Sequence, residues 1–288
     1  MLRISKERKE GKYIMGINRK TQVVHCVLLV IIALVFVLPL VWLLLASFDP
    51  NANQTLKWPE TWTLGNYAGV LTSKVDMKGF GVGLVISLSQ SLIVTVVSLL
   101  AAYPLSRYNL CYKKQFMYAI LFMTSLPMIA VIVPVYKMFL NIGLLNSIPG
   151  VILYLSASGI PYGIWLMKNF MDTIPISLEE AAWVDGATTM QSIRHIVLPL
   201  MLSGVCVVFI YTFSGSWGNF FIPYILLSSA DKLPASVILY QYFGQHGAIA
   251  YGALAAYSVL YSLPSIILYI LSQRYMSKGF TMSGADKG

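Results

Sequence analysis

A polar stretch between two strongly apolar segments holds the residues whose types and spacing could do chemistry. Residues 175–199 carry Glu179, Glu180 and Asp185, and Asp172 lies just before them. Clustered carboxylates near a membrane surface can act as general acids or bases. Docking of another protein explains the stretch better, because so apolar a chain has little other reason to keep a mixed-charge helical segment between two apolar ones.

Local signals place a short helix in the first half of this stretch. Pro175 ends the preceding chain, and Ser177 followed three residues later by Glu180 is typical of a capping box. The small residues Ala181 and Ala182 then leave a flat patch on which the backbone of a partner could approach closely. We therefore predict a helix here that serves as a docking element.

A turn and a second helix are predicted in the other half. Gly186 tolerates the left-handed conformation at a helix end. Thr188 or Thr189 can cap a second short helix that runs to about His195, after which residues 196–199 return the chain to the membrane. The whole segment is therefore predicted to be a helix-turn-helix.

Metal chemistry and disulfide bonds are not indicated. No pair of histidines has metal-ligand spacing, and the odd number of scattered cysteines argues against a disulfide framework. These residues are His25, His195, His246, Cys26, Cys111 and Cys206. We expect no metal site, and we interpret the cysteines as small apolar residues.

The composition is that of a membrane protein. Of the 288 residues, 57% are hydrophobic and 11% are charged, whereas about a quarter of a soluble domain is charged. Six segments reach the length of about 20 apolar residues that a spanning helix needs. They are approximately Val23–Ala46, Val82–Pro104, Gln115–Leu140, Ile148–Lys168, Ile196–Trp217 and Ala250–Leu271. We predict an all-α bundle with one membrane domain at 23–272, preceded by a basic segment at 1–22 and followed by a tail at 273–288.

The basic residues indicate the orientation of this bundle. A net charge of +9 would suggest nucleic acid as a partner of a soluble protein, but here the Lys and Arg residues flank apolar segments. Fifteen of the twenty fall on the side that holds both termini and the polar stretch. The positive-inside rule makes that side cytoplasmic. We therefore expect cytoplasmic termini, no nucleic-acid partner, and outside segments at about 47–81 and 218–249.

Two groups of side chains are candidates for lining a path through the membrane, because lipid cannot satisfy polar groups. Small hydroxyl residues recur at helical spacing in the second span, and polar and aromatic residues follow one another at the end of the fifth. They are Ser87, Ser91, Thr95, Tyr211, Ser214, Trp217 and Asn219. Tight packing through small residues explains the first group better than a polar path does. For the second group, the preference of Trp and Tyr for membrane interfaces is the favoured explanation.

Prolines at membrane depth favour transport over simple anchoring. Pro127, Pro134 and Pro161 fall within the third and fourth predicted spans. We expect them to break those helices, and broken helices are common in transporters.

The spacing of the polar stretch resembles a known signature. Glu180-Ala181-Ala182, Gly186 after three residues, and Ile196 to Pro199 after nine more resemble the EAA signature of binding-protein-dependent ABC importer permeases. Nearly the whole chain is similar to the smaller, maltose-type permease subunit among the carbohydrate importers. Further matching stretches are Gly143–Asn146, Pro161–Leu166, Asp185–Ala187 and Lys278–Gly288.

The resemblance implies a division of labour. The chain would be half of a heterodimeric pore with a second homologous permease in a bacterial cell membrane, and it would receive solute from an extracellular binding protein, which the segment at 218–249 would contact. Its coupling residues would contact a cytoplasmic ATPase dimer, where Glu180 would meet a basic residue. These residues are Glu180, Ala181, Ala182, Asp185, Gly186, Leu198 and Pro199. The tail residues Lys278, Gly279 and Thr281 would reach the same ATPase.

The nucleotide would be bound elsewhere. The chain contains no GxxxxGK[ST] phosphate loop, so we expect it to bind no cofactor itself. ATP and Mg would be held by the partner ATPase, and this chain would be a transport subunit with no catalytic residue.

Two departures from the family pattern stand out. Trp217-Gly218-Asn219-Phe220 lacks the acidic residue that the family often has there. Ser203-Gly204 stands where a proline is common. Because proline is a usual cause of kinks, the fifth helix is expected to be looser or differently bent.

Other functions stay open at this point. An ABC importer for another class of solute would have the same signature. An ion-driven secondary transporter tends to place Asp, Glu or His within its spans, and no Asp or Glu falls within the six predicted here. A membrane-embedded enzyme would use the acidic cluster, which docking explains better.

Overall fold

The chain folds into a bundle of helices. The computed structural model describes the backbone of residues 19–243 and 249–284, and the side chains of residues 23–243 and 249–273. Within this part there is no strand. In chain order the α-helices are α1 (Arg19–Ser47), α2 (Gly65–Thr72), α3 (Lys74–Arg107), α4 (Lys113–Thr124), α5 (Met128–Asn141), α6 (Ile148–Asp172), α7 (Ser177–Val184), α8 (Thr189–Ser192), α9 (Leu198–Trp217), α10 (Phe221–Leu226), α11 (Ala235–Gln241) and α12 (Tyr251–Gly284).

The six predicted spans are recognisable in this bundle. Five helices are long and apolar enough to cross a membrane, and the bent pair α4 and α5 makes up a sixth span. Two of them begin earlier than the hydropathy pattern predicts. The second span begins at Lys74, and the fifth continues a helical path that begins at Thr189.

The third span is broken at Pro127, as predicted. The axes of α4 and α5 differ by 93° across this break. Pro127 cannot donate a backbone hydrogen bond to α4, and it disfavours helical geometry at Leu126 before it. Its own carbonyl accepts from Ala130 N at 3.0 Å, so the same residue is the N-cap of α5.

The predicted breaks at the other two prolines are wrong. Pro134 lies inside the continuous helix α5, and Pro161 lies inside α6. A proline within a membrane helix removes one backbone hydrogen bond, and neighbouring helices or local adjustments can compensate for it. Without an irregular stretch such as Ser125-Leu126 before it, the proline alone does not end these helices.

The second span, α3, is the centre of the bundle and packs against α6, α9 and α11. It approaches α6 closely at Gly163, where an added Cβ would lie 2.5 Å from Ser98 Oγ. Gly204 of α9 lies equally close to α6, because an added Cβ would lie 2.7 Å from Phe170 Cβ. Small residues thus let the three central helices approach closely, as is common in membranes.

The fifth span is continuous at Ser203-Gly204. The helix α9 runs through both residues without interruption, and the expectation of a looser or differently bent helix stays a prediction. Gly204 provides the close contact with α6.

The first span lies at the edge of the bundle. Apart from Ala46 and Ser47 at its end, the described side chains of α1 are largely exposed, and the helix packs against α12. Such a continuous apolar surface must be covered by lipid or by another protein.

The end of the bundle opposite α7 is closed by hydrogen bonds between loops. Asn146 has a positive φ of 52°, and its side chain bonds to Ser228 N, Ser229 N and Ser229 Oγ at 2.7–3.1 Å. Tyr242 donates to the buried carboxylate of Asp76 at 2.8 Å. Burial and this carboxylate raise the pKa of Tyr242, so its hydroxyl remains protonated and keeps donating.

Candidate functional site

The helix α7 is the first half of the predicted helix-turn-helix, but its N-terminus is formed differently. Ile176 is the N-cap, and no side chain caps the helix, so the predicted capping box of Ser177 and Glu180 is wrong. The chain already turns at Pro175, and the Ile176 carbonyl accepts from Glu180 N at 3.1 Å. Backbone carbonyls thus take the place of Ser177, and the Glu180 carboxylate is not engaged in capping.

The predicted turn at Gly186 is confirmed. Gly186 has a φ of +86°. Ala187 N donates to Ala182 O at 2.9 Å, and Gly186 N donates to Trp183 O at 3.0 Å. This pair of bonds is the Schellman motif, in which glycine supplies the left-handed residue after the helix.

The second half of the segment runs directly into the fifth span. Thr188 caps α8 and forms a reciprocal capping box with Gln191. A π-helix at Ile193–Val197 then joins α8 to α9, so the predicted separate helix ending near His195 is wrong. Because Pro199 has no N–H, the carbonyl four residues before it receives no α-helical hydrogen bond from it. Leu198 N donates to Ile193 O, five residues before it, which is the wider spacing of a π-helix.

The segment presents the EAA residues to its surroundings. Ala182 is half-buried, and the other coupling residues named from the sequence are exposed: Glu180, Ala181, Asp185, Gly186, Leu198 and Pro199. Within the described part of the chain, the Glu180 carboxylate has no hydrogen bond or ion pair. No described side chain of this protein therefore occupies it.

Apolar side chains surround these residues and are also exposed. Val184 is 87% exposed and Met190 is 70% exposed, and Leu178 and Trp183 are exposed as well. Large apolar side chains on so short a polar segment are unfavourable in water, and contiguous apolar patches mark interaction surfaces. The segment therefore has the composition of a surface that is covered in an assembly.

The acidic residue next to the signature has the opposite environment. Glu179 is fully buried, and Arg107 at the end of α3 donates from Nε to its Oε1 at 2.6 Å. Tyr103 donates to the other carboxylate oxygen at 3.0 Å. Both carboxylate oxygens are thus satisfied, as a buried charge requires.

Arg107 also holds the linker between α6 and α7. Its Nη2 donates to the Ile174 carbonyl at 3.1 Å. Beside it, Ser106 donates to Asp172 at 2.6 Å, and Lys168 forms an ion pair with the same carboxylate. The ends of the second and fourth spans and α7 are therefore connected through polar contacts.

A large cavity lies beside the broken third span. It has a volume of about 860 Å³ and lies between α4, α5 and α6. Tyr162 and Tyr211 line it, with their ring centroids 4.7 Å apart. The break at Pro127 directs α5 away from α4 and so leaves this space open.

A second cavity of about 540 Å³ adjoins the first. Met128, Ser158, Gly159 and Tyr211 line both, so the two cavities meet at these residues and are called the joined cavities below. Residues with polar side chains line the second cavity, among them Gln90, Thr212, Ser214, Ser216 and Asn219.

The sequence as a whole matches one known family. Residues 94–277 match the family described as the inner membrane component of binding-protein-dependent transport systems. The chain belongs to this family. It is a multi-pass membrane protein and an ABC transporter permease, as its spans and the resemblance predicted.

Relatives of this permease extend over almost its whole length. A probable ABC transporter permease of Pyrococcus horikoshii is 32% identical, with 89% of this chain and 95% of the relative covered. The maltodextrin transport permease MalD of Streptococcus pneumoniae is 29% identical, with 94% and 97% covered.

Solved structures show that the permease shares its fold with importers. A chain of a bacterial ABC transporter that imports the acidic polysaccharide alginate superposes with a TM-score of 0.77 at 22% identity, covering 89% of this chain and 96% of the other. A second chain comes from a bacterial alginate ABC transporter in complex with a periplasmic protein bound to an alginate pentasaccharide. It superposes with a TM-score of 0.68 at 17% identity, covering 90% of this chain and 96% of the other.

The candidate path residues occupy different environments in the permease. Tyr211, Ser214 and Asn219 line the joined cavities. Trp217 is buried in the core, and its indole donates to Tyr261 O at 2.9 Å. The hydroxyl residues of the second span, Ser87, Ser91 and Thr95, are buried within the bundle and line neither cavity.

Three polar residues of the permease were not identified from the sequence. In the sequence, Arg107 belongs to the basic residues that flank the spans, Glu179 belongs to the acidic cluster, and Gln90 belongs to neither group. An amide within a predicted span is itself a signal, because lipid cannot satisfy its polar atoms. No comparable signal identifies Arg107, since its partner lies in a different element.

Part of the predicted interface lies outside what the structure describes. The side chains of Lys278, Gly279 and Thr281 fall beyond the described side chains, although the backbone of α12 continues through them. The basic segment at 1–22 is likewise without described side chains.

Proposed function

We propose that this permease is one half of the translocation pore of an ATP-driven importer and transmits ATP hydrolysis on a partner to movement of its own helices. The second half is a homologous permease. The observation that carries the proposal is the surface of α7, where the exposed EAA residues lie beside exposed apolar side chains. On the buried side of the same helix, Glu179 forms an ion pair with Arg107.

The two glutamates of α7 have separate roles in this proposal. Glu180 is exposed and meets a basic residue of the ATPase. Glu179 is buried and ties α7 to Arg107. A push on α7 is thereby transmitted to α3, the central helix of the bundle, and through the continuous helix after Thr188 to α9.

ATP and Mg are bound by the partner ATPase, a dimer on the cytoplasmic side, and this chain is not itself an enzyme. The cytoplasmic location of α7 and of both termini rests on the excess of Lys and Arg on that side. The tail with Lys278, Gly279 and Thr281 extends α12 toward the same ATPase.

The substrate of the proposed importer is a sugar or oligosaccharide delivered by an extracellular binding protein. Support comes from relatives whose names specify maltodextrin, trehalose and diacetylchitobiose. The loop side near α10 and α11 is the surface for the binding protein, with Tyr224 and Tyr240 exposed there. The solute then passes along the joined cavities, where Tyr211, Ser214 and Asn219 lie.

Co-purification from the native membrane tests the assembly. We expect a second permease of similar size and an ATPase to accompany the tagged chain, and the purified complex to import solute into proteoliposomes only with ATP. Glu180→Arg should release the ATPase, because a like charge then faces its basic residue, while Glu60→Arg at an exposed site on the other side should not. Solute transport by the isolated chain without ATP would refute the proposal.

The native cysteines allow a test of the orientation. Cys111 is exposed in the loop between α3 and α4, at the α7 end of the bundle. With Cys26→Ser and Cys206→Ser in place, a membrane-impermeant maleimide should label Cys111 in inside-out vesicles and not in intact cells. Asn53→Cys in a Cys111→Ser background should give the reverse pattern. Labelling of Cys111 from outside would contradict the proposed topology.

A further inference from the structure

A basic depression lies at the α7 end of the bundle, between α4 and the end of α6. It has a volume of about 510 Å³, and it shares no lining residue with the joined cavities. Ligand pockets usually have volumes of about 300–1,000 Å³. We call this depression the basic pocket, because Lys113, Lys114 and Lys168 line it.

The charge of the basic pocket is only partly neutralised within the described part of the chain. No Asp or Glu is among its described lining residues. Lys168 forms an ion pair with Asp172, but no described carboxylate is paired with Lys113 or Lys114. Lys114 Nζ lies 5.9 Å from the ring centroid of Tyr118. Two lysine charges therefore remain for an anionic ligand, and lysine binds phosphate as a point charge.

The wall formed by α4 changes from charged to apolar along the helix. Lys113 and Lys114 lie in its first turn, and Met117 and Leu121 follow on the next two turns. Lys113, Met117 and Leu121 are spaced by four residues and so share one face. Leu121 lies about 12 Å further along the axis than Lys113. Because α4 starts the third span at this end, the apolar side chains lie deeper in the membrane than the lysines.

The wall formed by α6 changes in the same direction. Lys168 and Asn169 lie near the end of α6, and Trp165 lies one turn before them. The two helices lie side by side here, because Ile120 of α4 and Ile164 of α6 belong to one buried cluster. Charged and polar groups of both walls thus lie at one level of the pocket, and apolar groups lie at the next level into the membrane.

This order of groups fits a phospholipid better than a small anion. A phosphate group needs only the charged level, whereas the acyl chains of a lipid also bury the apolar level beside it. A soluble anion would leave Met117 and Leu121 without an apolar partner. Trp165 and Tyr118 fit the same ligand, because Trp and Tyr are enriched at the level of lipid headgroups.

The positive-inside rule accounts for lysines at this end of the bundle but not for their grouping in a pocket. That rule concerns the number of basic residues beside a span. Lys113 and Lys168 come from two different spans, and both are half-buried in one depression. Half-burial removes part of the hydration of an ammonium group, which a bound phosphate group would replace. Arg194 at the same end is exposed and does not line the pocket.

We propose that the basic pocket binds one anionic glycerophospholipid. Its phosphate group lies among Lys113, Lys114 and Lys168, and its acyl chains lie along the apolar level of the pocket. Basic pockets between spans on the cytoplasmic side are a recurring type of site for anionic headgroups. The cytoplasmic leaflet as the source of the lipid rests on the proposed orientation, whereas the site itself requires neither a particular solute nor ATP.

The test uses the complex that purifies with the tagged chain, in micelles of an uncharged detergent. The complex is titrated with dioleoyl phosphatidylglycerol and, separately, with dioleoyl phosphatidylcholine, which has the same chains but no net charge. Native mass spectrometry counts the bound lipids. Phosphatidylglycerol should bind about thirtyfold more tightly, since each of the two unpaired lysines contributes about fivefold.

Variants locate the bound lipid. Lys113→Gln with Lys114→Gln removes both unpaired charges and should weaken binding of phosphatidylglycerol by about thirtyfold. Lys74→Gln with Lys78→Gln is the matched control, because it removes the same charge from exposed positions at the other end of α3. Arg194→Gln is the control at the same end of the bundle. Both controls should change binding by less than about twofold, as is usual for exposed substitutions.

Two soluble ligands separate a lipid from its headgroup. Glycerophosphoglycerol has the same phosphodiester without acyl chains, and inorganic phosphate supplies the charge alone. Neither should bind at concentrations that saturate the complex with phosphatidylglycerol. Binding of either one as tightly as the intact lipid would overturn a lipid as the occupant of the pocket.

Failure of this inference differs from failure of the proposed function. Equal binding of the two lipids, or unchanged binding of phosphatidylglycerol after replacement of Lys113 and Lys114, would overturn the lipid site and leave the proposed import function intact. A tagged chain that purifies without an ATPase would refute the proposed function, and the same lipid titration on that chain would still decide the basic pocket.

Discussion

Arg107 Nε and Glu179 Oε1 lie 2.6 Å apart at the junction between the second span and α7. The Arg107 side chain is 6% exposed and that of Glu179 is 0% exposed, so neither charge is hydrated. Seventy-two residues separate the two along the chain. Together with the hydrogen bond from Tyr103 to the same carboxylate, the contact links the signature helix directly to the central helix of the bundle.

Removing one member of this pair should be strongly destabilising. Glu179→Ala leaves the Arg107 guanidinium buried without a counter-charge, and we expect the free energy of unfolding to fall by about 3–5 kcal/mol. Denaturant titration in detergent micelles measures this. Lys78→Ala breaks an exposed ion pair with Asp231 and is the control, with an expected loss of about 0–1 kcal/mol.

Replacing both members should separate stability from coupling. Arg107→Met with Glu179→Leu removes both buried charges, and its loss of stability should be well below that of Glu179→Ala. If the pair transmits movement, the double variant should be stable but should import less solute per ATP hydrolysed than the unmodified complex. Wild-type coupling in the double variant would show that the pair serves stability alone.

The turn after α7 should depend on the conformation of Gly186 and not on its size. No atom lies within 4 Å of a Cβ added there, but the φ is +86°. Valine in the left-handed conformation is strained by about 1–2 kcal/mol, so Gly186→Val should lower import per ATP by about tenfold without preventing membrane insertion. Gly186→Asn is the control, because asparagine tolerates this conformation. Equal effects of the two variants would argue against a conformational role.

Asn146 should stabilise the loops opposite α7. Asn146→Ala removes side-chain bonds to Ser228 and Ser229 and leaves alanine at a positive φ. We expect a loss of about 2–4 kcal/mol in the free energy of unfolding. Asn141→Ala, at an exposed position near the end of α5, is the comparison and should change stability by less than about 0.5 kcal/mol. Similar values for both would mean that the loop contacts contribute little.

Close packing of α9 on α6 should make Gly204 intolerant of a methyl group. In Gly204→Ala the new Cβ would lie 2.7 Å from Phe170 Cβ, and overpacking of this kind costs about 1–3 kcal/mol. Gly81→Ala in α3 is the matched helical glycine with nothing within 4 Å of an added Cβ. It should be neutral or slightly stabilising, since alanine favours helices. Thermal unfolding of both variants provides the comparison.

The sequence alone determined the class of the protein and the place of its signature. Apolar runs of spanning length specify membrane helices wherever they occur, because lipid leaves no alternative for the backbone. The turn at Gly186 and the cap at Thr188 were also predictable, since both depend on neighbours within a few residues. The break at Pro127 belongs to the same group of local features.

Only the tertiary structure decided the roles of the two adjacent glutamates. Local pattern predicted a cap for Glu180 and no separate role for Glu179, whereas the fold buries Glu179 against Arg107 and exposes Glu180. Likewise, only the packing of α6 against α3 brings the Leu155 carbonyl to the amide nitrogen of Gln90. The Oε1 of Gln90 is buried there without a hydrogen bond from the described residues. The helical spacing of small residues indicates which face of the second span is packed, but which helices meet that face depends on packing between distant segments.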